Sequence, residues 1–452
     1  MAVTRKPPYP VPHQPLPEVL RSRLASLVAP GARLCVALSG GRDSVVLLHA
    51  MQDLRDIYPL SVIHVNHGLS PHADAWQAFC EQLCLALAIP FHAERVLIDP
   101  ADPRGIEAAA RAERRRVFAG QAADCIVLAH HQDDQAETVL LQLLRGAGVK
   151  GLAGMPQRLQ PGDGPILLRP LLDYPRSFLE QWAREQQLVW VEDESNLDSR
   201  YQRNFLRHDV LPLIETHYPG WREALSRSAA LLADADGLLT ELAQMDAATT
   251  VQGNRLDLAR LRALSWPRAR HLLRYFLHSH RLTLPSAARL DDMLRQLLVA
   301  AADREIGIRI QSMVLYRYRE YAWLVDPPPP LPVSPHWLWT GQARLDLPEL
   351  GGRLLFGVGG GLRLPSGPVL QVRLRKGGEM FRPQANRPEK SLKSLLQEMG
   401  MPPWQRRRLP LLWHGGQLVC VPGVGIAADW QCRPGEVGVE IRWETIPADE
   451  KR

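Results

Sequence analysis

A short polar loop between two apolar runs constrains the fold of this chain more than any other feature. The runs are Leu34 to Leu38 and Val45 to Leu48, and the loop consists of Ser39, Gly40, Gly41, Arg42, Asp43 and Ser44. This order predicts a strand, a tight turn and the start of a helix. Backbone N–H groups in such a turn and the helix dipole attract anions, and small residues let a phosphate approach. No Lys stands where a Walker A loop requires one, so the loop predicts a different phosphate site.

Strand-like and helix-like patterns alternate from about residue 30 to residue 215. The predicted strands cover residues 34–38, 60–65, 91–96 and 125–129, and the predicted helices cover 73–87, 106–119 and 136–145. Such alternation is typical of an α/β fold with a doubly wound parallel sheet. Ligands of these sheets bind beyond the carboxyl ends of the strands, so polar residues that follow a strand are candidates for a site.

The rest of the chain predicts two further domains. Helical periodicity recurs at residues 224–242, 268–278 and 287–301, and the proline run that begins at Pro327 fits neither a helix nor a central strand. The boundaries that we expect are a Pro-rich tail at 1–25, an α/β catalytic domain at 26–218, a small helical domain at 219–326, a stiff linker at 327–340 and a C-terminal mixed α/β domain at 341–452.

Composition indicates a globular protein and hints at a polyanionic partner. The 452 residues are 46% hydrophobic and 23% charged, with a net charge of +6 and a pI of about 9.1. Six cysteines form no C-x-x-C pair, which is typical of reduced thiols in a cytoplasmic protein. No apolar run has the length of a membrane span, and the N-terminal segment lacks the apolar core of a signal peptide.

Polar side chains follow the second and fourth predicted strands. His64 and Asn66 end the second strand and alternate to the same side of it. The fourth strand is followed by two histidines and three acids, namely His130, His131, Asp133, Asp134 and Glu137. Acids in a first helical turn complement the helix dipole, but capping alone does not require so many. A site for Mg²⁺ and a cationic amine would use such carboxylates, and the absence of a nearby Cys disfavours zinc.

Two groups of basic residues flank this region in sequence. Arg111 lies four residues after Glu107, which predicts an ion pair on a surface helix or a phosphate contact. Arg203, Asn204 and Arg207 follow an acidic loop and lie among aromatic residues. This combination is either structural or suited to single-stranded RNA bases.

The C-terminal domain contains a strongly basic segment. Between residues 371 and 410, ten Lys or Arg accompany three acids, a local excess of +7. Lys390 and Lys393 are predicted to lie on one face of a helix whose other face is apolar. A solvated surface is the simpler interpretation, but the excess favours contact with nucleic-acid phosphates.

The loop resembles the S-G-G-x-D-S motif of the PP-loop ATP pyrophosphatase superfamily, whose members cleave ATP between the α and β phosphates. Further motifs follow in order: HVNHGLS, GIEAAAR, HHQDDQAET, RGAG, RPLL, EDESN and YQRNFLR. The ordered set looks like the family of bacterial tRNA(Ile)-lysidine synthetases, and KSLKSLLQE and VPGVG resemble that family's C-terminal part. The resemblance covers the α/β domain and the last domain, whereas the middle domain matches by placement and pattern.

The resemblance implies a ligase that uses ATP and Mg²⁺. Members of the family adenylate the wobble cytidine of tRNA(Ile) with a CAU anticodon at the oxygen on carbon 2. The amine of free L-lysine then displaces AMP and gives lysidine, which changes the identity of the tRNA from methionine to isoleucine. A homodimer is left open.

The resemblance also implies roles for individual residues. The nucleotide would contact the loop and the polar strand ends, namely Ser39, Gly40, Gly41, Arg42, Asp43, Ser44, His64, Asn66 and His131. Mg²⁺ would bind Asp43 and Asp133. The lysine amine would be held by Asp133, Asp134 and Glu137, and AMP or the lysine carboxylate by Arg111. The predicted RNA contacts are Arg203, Asn204, Arg207, Lys390 and Lys393.

Three other functions compete with this hypothesis. A PP-loop tRNA sulfurtransferase often carries sulfur on paired cysteines, and no C-x-x-C pair is present. An amidating ligase that makes NAD or GMP uses a similar loop but would not explain the basic C-terminal segment. A non-catalytic RNA-binding protein with a degenerate nucleotide site would not require the intact loop and the acidic cluster.

Overall fold

The computed structural model describes residues 15–99, 101–103, 105–194, 198, 200–300, 306–327, 330–331, 336–365 and 369–445. The chain forms two compact units, Met1–Leu239 and Thr240–Arg452. Within the described residues, no helix combines the length and the apolar character that crossing a membrane requires.

The first unit combines one six-stranded sheet with helices. Its strands are β1 (Leu34–Ala37), β2 (Leu60–Asn66), β3 (Phe91–Arg95), β4 (Cys125–Val127), β5 (Arg158–Leu159) and β6 (Ile166–Leu168). Its helices are α1 (Leu16–Leu27), α2 (Arg42–Gln52), α3 (Ala73–Ala86), α4 (Ile106–Ala119), α5 (Gln132–Leu144), α6 (Val149–Leu152), α7 (Arg176–Glu185), α8 (Gln202–Phe205), α9 (Leu211–His217) and α10 (Trp221–Thr250). A π-helical turn, Leu206–Val210, joins α8 to α9, and α10 continues into the second unit.

The sheet confirms the predicted doubly wound fold. Its strand order is β3-β2-β1-β4-β6-β5, and all neighbouring pairs are parallel except β5 with β6. Successive side chains of β1 point to opposite faces. Leu34 and Val36 pack in a core with α1, α2, α3 and α7, whereas Cys35 packs with residues of α4. Helices therefore cover both faces, and the carboxyl ends of the strands stay open.

The Pro-rich tail is shorter than the sequence predicts. Residues 16–25, which the sequence assigns to the tail, belong to helix α1. Residues 1–14 are not among the described residues. Pro15 and Pro17 occupy the N-cap and the first turn, where a missing N–H removes no helical hydrogen bond. One apolar face of the helix is buried in the main core, through Leu16, Val19, Leu20 and Leu24.

The second unit contains several small sheets with short helices. Its strands are β7 (Val251–Gln252), β8 (Arg255–Asp257), β9 (Ile306–Ile310), β10 (Met313–Tyr318), β11 (Tyr321–Val325), β12 (His336–Trp339), β13 (Arg344–Leu347), β14 (Gly352–Gly359), β15 (Leu370–Arg373), β16 (Met380–Phe381), β17 (Lys390–Ser391), β18 (Leu411–His414), β19 (Gln417–Val421), β20 (Gly425–Ile426) and β21 (Gly438–Thr445). Its helices are α11 (Leu258–Ala263), α12 (Trp266–Ser279), α13 (Ala287–Val299), α14 (Leu392–Glu398) and α15 (Pro403–Arg406).

The predicted helices of the middle region are present as α10, α12 and α13, and a sheet of order β7-β8-β11-β10-β9 accompanies them. The C-terminal region is mixed, with sheets of order β12-β15-β18-β19-β20 and β13-β14-β21. The expected linker ends earlier than residue 340, since β12 begins at His336. Pro328, Pro329 and Pro332 lie outside the described residues.

Aromatic and basic side chains join the middle and C-terminal regions within the second unit. Tyr316 of β10 stacks on Trp404 of α15, with ring centroids 4.6 Å apart. Arg406 donates to the hydroxyl of Tyr318 at 2.5 Å, and its guanidinium lies over the same ring. These contacts explain why two regions that the sequence separates by a proline run form one unit.

We expect Leu20→Ala to lower the free energy of unfolding by about 2–5 kcal/mol, because it leaves a cavity in a closely packed core. Leu20 has no exposed surface. Arg21→Ala, on the exposed side of the same helix, should change stability by about 0.5 kcal/mol or less. Urea unfolding measures both variants. Equal effects would mean that α1 is not part of the core.

Candidate active site

Four segments meet at the carboxyl edge of the parallel sheet. In the sheet order β1 lies between β2 and β4, so the loop after β1, the polar end of β2 and the start of α5 share one edge. The first residue of α7 joins them, since the N–H of Arg176 donates to Asp133 Oδ2 at 2.9 Å. The structure thus brings together the loop and the acidic cluster, which the sequence places far apart.

Gly40 has a backbone conformation and a packing environment that exclude a side chain. Its φ is +87°, and an added Cβ would lie 2.9 Å from Val191 Cγ2 and 3.1 Å from Cys80 Sγ. The carbonyl of Gly40 accepts a hydrogen bond from the Val191 N–H at 3.0 Å. The loop is therefore held against α3 and the segment after α7, and only glycine fits this position.

The two serines of the loop bind each other and the backbone. Their Oγ atoms are 3.1 Å apart, and the N–H of Ser39 donates to Ser44 Oγ at 3.2 Å. Ser44 Oγ donates to the Gly41 carbonyl at 2.8 Å. Helix α2 has no side-chain cap, so the first-turn N–H groups of Arg42 and Asp43 stay available for an anion. The serines therefore fix the shape of the loop from Ser39 to Ser44, which we call the phosphate cradle. Its available donors are backbone N–H groups.

The side chain of Arg42 forms ion pairs with protein carboxylates. Its Nε lies 3.1 Å from Asp43 Oδ1, and its NH1 lies 2.5 Å from Glu180 Oε1 of α7. Only 15% of its side chain is exposed. The nucleotide contact that we expect of Arg42 is thus restricted to its backbone N–H in this state.

The side chains of His64 and Asn66 form hydrogen bonds within the protein. His64 Nδ1 lies 2.9 Å from the Leu38 carbonyl at the entrance of the loop, and burial lowers the pKa of His64. The amide of Asn66 donates to Asp74 and Gln77 at 3.0 Å. Both residues lie at the predicted edge, but their described contacts support the loop and the β2–α3 turn.

His131 connects the loop to α5. The N–H of Asp134 donates to His131 Nδ1 at 3.3 Å, and the His131 N–H donates to Asp134 Oδ2 at 3.1 Å, which forms a capping box. The ring proton is thereby assigned to Nε2, which lies 3.5 Å from Asp43 Oδ2. Burial alone would raise the pKa of Asp43, but the hydrogen bond and charge of His131, with Arg42 and Arg176, lower it to about 2. Asp43 is therefore a carboxylate at neutral pH.

Asp133 is held by groups from two distant segments. Besides the Arg176 N–H, it accepts a bond from Arg222 Nε of α10 at 2.6 Å. Arg222 also binds Glu215 at 2.6 Å, and these partners raise the pKa of Arg222 against the opposing effect of burial. The Asp133 carboxylate thus stays near the imidazole of His131, with Oδ2 3.9 Å from Nδ1.

Asp134 and Glu137 form a compact ionic cluster with Arg203 and Arg207. Glu137 accepts from Nε of both arginines at 2.7 Å, and Asp134 Oδ1 accepts from Arg203 NH2 at 2.7 Å. The Glu137 side chain is only 2% exposed. A carboxylate at that depth requires paired cations, and the two arginines supply them. The predicted RNA contacts Arg203 and Arg207 are therefore directed into the acidic cluster.

The donor set fits a magnesium ion bound through water and phosphate. Among the described residues, no group of three or more His, Cys, Asp or Glu forms a ready metal cage. Mg²⁺ does not require one, since it commonly uses one or two carboxylates, waters and substrate phosphates. Asp43 and Asp133 approach different nitrogens of the His131 ring, beside the open N–H groups of α2.

Arg111 and Asn204 have local partners. Arg111 NH2 lies 2.6 Å from Glu107 Oε1 in an exposed pair of helix α4, as the i,i+4 spacing predicts. Asn204 donates to the carbonyl of Asp198 at 3.0 Å, which supports the acidic loop before α8. Ser195 and Asn196 of that loop lie outside the described residues.

Sequence reasoning missed several residues that shape the site. Arg176 and Glu180 of α7, Val191, and Arg222 of α10 each contact a loop or cluster residue. No motif marks them, because their roles depend on which helices the sheet brings together. The sequence offered one weak signal, which is that several arginines follow the acidic cluster and could pair with its carboxylates.

The basic C-terminal segment differs in detail from its prediction. Leu392 and Leu396 are buried, as the apolar face requires, but Lys390 precedes α14 and belongs to β17. Lys390 Nζ lies 2.8 Å from Glu398 Oε1. Lys393 is exposed and has no ion-pair or hydrogen-bond partner in the described structure. Lys393 therefore offers the less compensated charge of the two.

Comparisons with known proteins match the chain along most of its length. Family models match it as a PP-loop domain over residues 16–214, a TilS substrate binding domain over 256–323 and a TilS substrate C-terminal domain over 370–443. It is 44% identical to the tRNA(Ile)-lysidine synthase of Nitrosomonas europaea, over 93% of each chain. It is 40% identical to that of an Azoarcus species, over 96% of this chain and 95% of the relative. The enzyme of Chromobacterium violaceum is 42% identical, over 87% and 91%.

We expect Gly40→Ala to weaken ATP binding at least about tenfold, because the strained φ and the contact with Val191 would displace the cradle. Gly31→Ala is the matched control. Gly31 has a similar φ of +83°, but an added Cβ would meet nothing within 4 Å. Calorimetric titration with ATP should find G31A unchanged in affinity, and equal losses in both variants would attribute the effect to backbone strain alone.

Proposed function

We propose that this chain, which belongs to the tRNA(Ile)-lysidine synthase family, joins free L-lysine to carbon 2 of the wobble cytidine of tRNA(Ile) with a CAU anticodon. The observation that carries the proposal is one sheet edge where an open phosphate cradle adjoins the partly buried carboxylates of Asp43, Asp133 and Asp134. ATP activates the cytidine by adenylation, and lysidine, AMP and pyrophosphate are the products. The tRNA substrate implies a cytoplasmic enzyme, and a homodimer stays a prediction.

The cradle is suited to the activation half of the reaction. The oxygen on carbon 2 of cytosine attacks the α-phosphate of ATP, and the bond to the β-phosphate breaks. The N–H groups at the start of α2 bind the departing pyrophosphate. Asp43 and Asp133 would hold Mg²⁺, which supplies positive charge against the phosphate oxygens. His131 keeps Asp43 ionised and oriented for this contact.

The acidic cluster is suited to the transfer half of the reaction. The ε-amine of lysine attacks carbon 2, the bond between that carbon and the AMP oxygen breaks, and the amine loses a proton. Asp133, Asp134 or Glu137 accepts that proton. The arginines that pair with these acids lower the pKa of a lysine amine bound nearby, because like charges repel. A larger share of the amine is then neutral, and only the neutral amine can attack.

The cysteines favour this ligation over sulfur transfer. Cys80 and Cys84 are fully buried on α3, and burial raises the pKa of Cys80 to about 12 and that of Cys84 to about 11. Neither thiol is therefore a thiolate nucleophile at neutral pH. The intact cradle argues against a non-catalytic RNA-binding protein, and tRNA-dependent exchange of pyrophosphate into ATP separates the two functions.

We expect Asp43→Asn to reduce lysidine formation by at least about 100-fold, because the loop loses its metal-binding carboxylate. Incubation with ATP, labelled lysine and tRNA(Ile), followed by nucleoside analysis, measures the product. Binding of tRNA should change little. Asp53→Asn, an exposed change at the other end of α2, should retain full activity. Lysidine formation by D43N at the wild-type rate would refute the proposed site.

We expect Lys393→Ala to weaken tRNA binding and to reduce the slope of log affinity against log salt by about 1, as for one lost phosphate contact. Lys390→Ala should have a smaller effect, since Glu398 already compensates that charge. Filter binding across a salt series measures both slopes. An unchanged slope in K393A would place the phosphate contacts elsewhere.

A further inference from the structure

The β10–β11 hairpin of the middle region contacts the basic segment of the C-terminal region through aromatic rings. Tyr316 and Tyr318 lie two residues apart on β10, so their side chains point to the same face of the sheet. The ring of Trp404, in α15, stacks on Tyr316 at 4.6 Å and meets Tyr318 edge-on at 6.3 Å. Aromatic pairs in these geometries are stabilised beyond the area that they bury. One indole thus joins two positions of the hairpin to the C-terminal region.

A buried guanidinium strengthens this contact. Arg406 is 7% exposed, and it donates to the Tyr318 hydroxyl and to the Met401 carbonyl, each at 2.5 Å. Its guanidinium also lies 5.3 Å from the centre of the Tyr318 ring. Among the described residues no carboxylate pairs with Arg406, so neutral acceptors and a ring face stabilise its charge. Loss of one of these partners would leave a buried charge poorly compensated, which makes the arrangement specific.

The turn of the same hairpin contacts helix α14. Arg319 lies in the tight turn between β10 and β11 with a φ of +54°, and its NH2 donates to the carbonyl of Gln397. Gln397 belongs to the last turn of α14, where carbonyls lack helical partners and a cation is favourable. Lys393 precedes Gln397 by four residues and lies on the same face of this helix. The turn that binds the end of α14 therefore also fixes the position of Lys393.

These side chains form one connected contact, which we call the clasp. Its members are Tyr316, Tyr318, Arg319, Trp404 and Arg406. The covalent connection between the two regions is the segment 326–335, between β11 and β12. Regions that a linker joins are expected to move relative to each other unless a specific interface holds them. The clasp supplies such an interface within the second unit.

Both regions that the clasp joins are basic. In residues 251–325, thirteen arginines accompany six acids, an excess of +7. Residues 371–410 have the same excess. A nucleic acid has phosphates along its whole length, so two basic regions held at a fixed separation can bind one molecule together.

We propose that Trp404 and Arg406 are positioning residues for the tRNA, because the clasp holds Lys393 at a fixed place relative to the middle region. This inference rests on the proposed tRNA substrate. Two contacts on one rigid body bind more tightly than the same contacts on bodies that must first be oriented, since less conformational freedom is lost on binding. The clasp thus raises the affinity for tRNA without touching the tRNA itself.

We expect Trp404→Ala to raise the Kd for tRNA(Ile) about tenfold, because Lys393 is no longer held in place. Trp404→Phe keeps a ring that can stack, so its Kd should stay within about threefold of wild type. The kcat at saturating tRNA should be unchanged in both variants, since no clasp residue belongs to the candidate active site. Filter binding and lysidine formation measure these quantities. An unchanged Kd in W404A, or equal losses in W404A and W404F, would overturn the proposal.

A milder variant has a matched control on the facing strand. Tyr318 and Tyr321 are directly opposite each other on β10 and β11. Tyr318→Phe removes only the hydroxyl that Arg406 binds and should raise the Kd for tRNA(Ile) about threefold. Tyr321→Phe removes a hydroxyl for which the described residues provide no hydrogen-bond partner, so its Kd should not change. Equal changes in the two variants would contradict the role of the clasp. Y318F also carries the test if W404A does not fold.

A double-mutant cycle tests whether the clasp acts through Lys393. Lys393→Ala should reduce the slope of log affinity against log salt by about 1 in the wild-type background. In the W404A background the reduction should be less than about 0.5, because a lysine that is not held in place no longer meets its phosphate. The same reduction in both backgrounds, or no reduction in either, would overturn the positioning of Lys393.

The wild-type enzyme separates this inference from the proposed function. If it forms lysidine and the clasp variants bind tRNA(Ile) as tightly as it does, the clasp has no positioning role and the proposed function stands. If the wild-type enzyme binds tRNA(Ile) but forms no lysidine, the proposed function fails, and the binding measurements still decide the role of the clasp.

Discussion

The pairing of a buried carboxylate with two arginines organises the catalytic half of this protein. Glu137 is almost fully buried and accepts from Nε of Arg203 and Arg207. A charge at that depth is tolerated only when it is paired, so α8 and the turn after it must pack against α5. Arg203 also binds Asp134, which forms the capping box with His131. The directions of Asp134 and Glu137 at the sheet edge therefore depend on this pairing.

The two halves of the proposed reaction differ in how completely the protein prepares them. The phosphate cradle has open N–H groups at the start of α2 and an ionised Asp43 beside it. The acids of the transfer half already hold arginines, which balance their charge before any amine arrives. Among the described residues, the buried Nδ1 atoms of His67 and His130 have no hydrogen-bond partner.

Local patterns predicted the fold of the first unit well, because strand and helix periodicities are properties of neighbouring residues. The loop and all four predicted strands occur where expected. Predictions failed where prolines were taken as evidence against regular structure. Pro15 and Pro17 begin α1 instead of marking a tail, and β12 starts inside the expected linker. Proline restricts φ and removes one donor, and both properties are compatible with a helix start.

The sequence alone determined that a phosphate-binding loop and an acidic helix start lie at the same edge of a parallel sheet. Both follow from short motifs and from the common direction of parallel strands. Only the tertiary structure decided what each polar side chain does there. Arg203 and Arg207, which the sequence offers as RNA contacts or as structural residues, pair with the buried Glu137, and Arg111 pairs with Glu107. Such choices depend on partners that are distant in sequence, since the fold alone decides which charges are buried together.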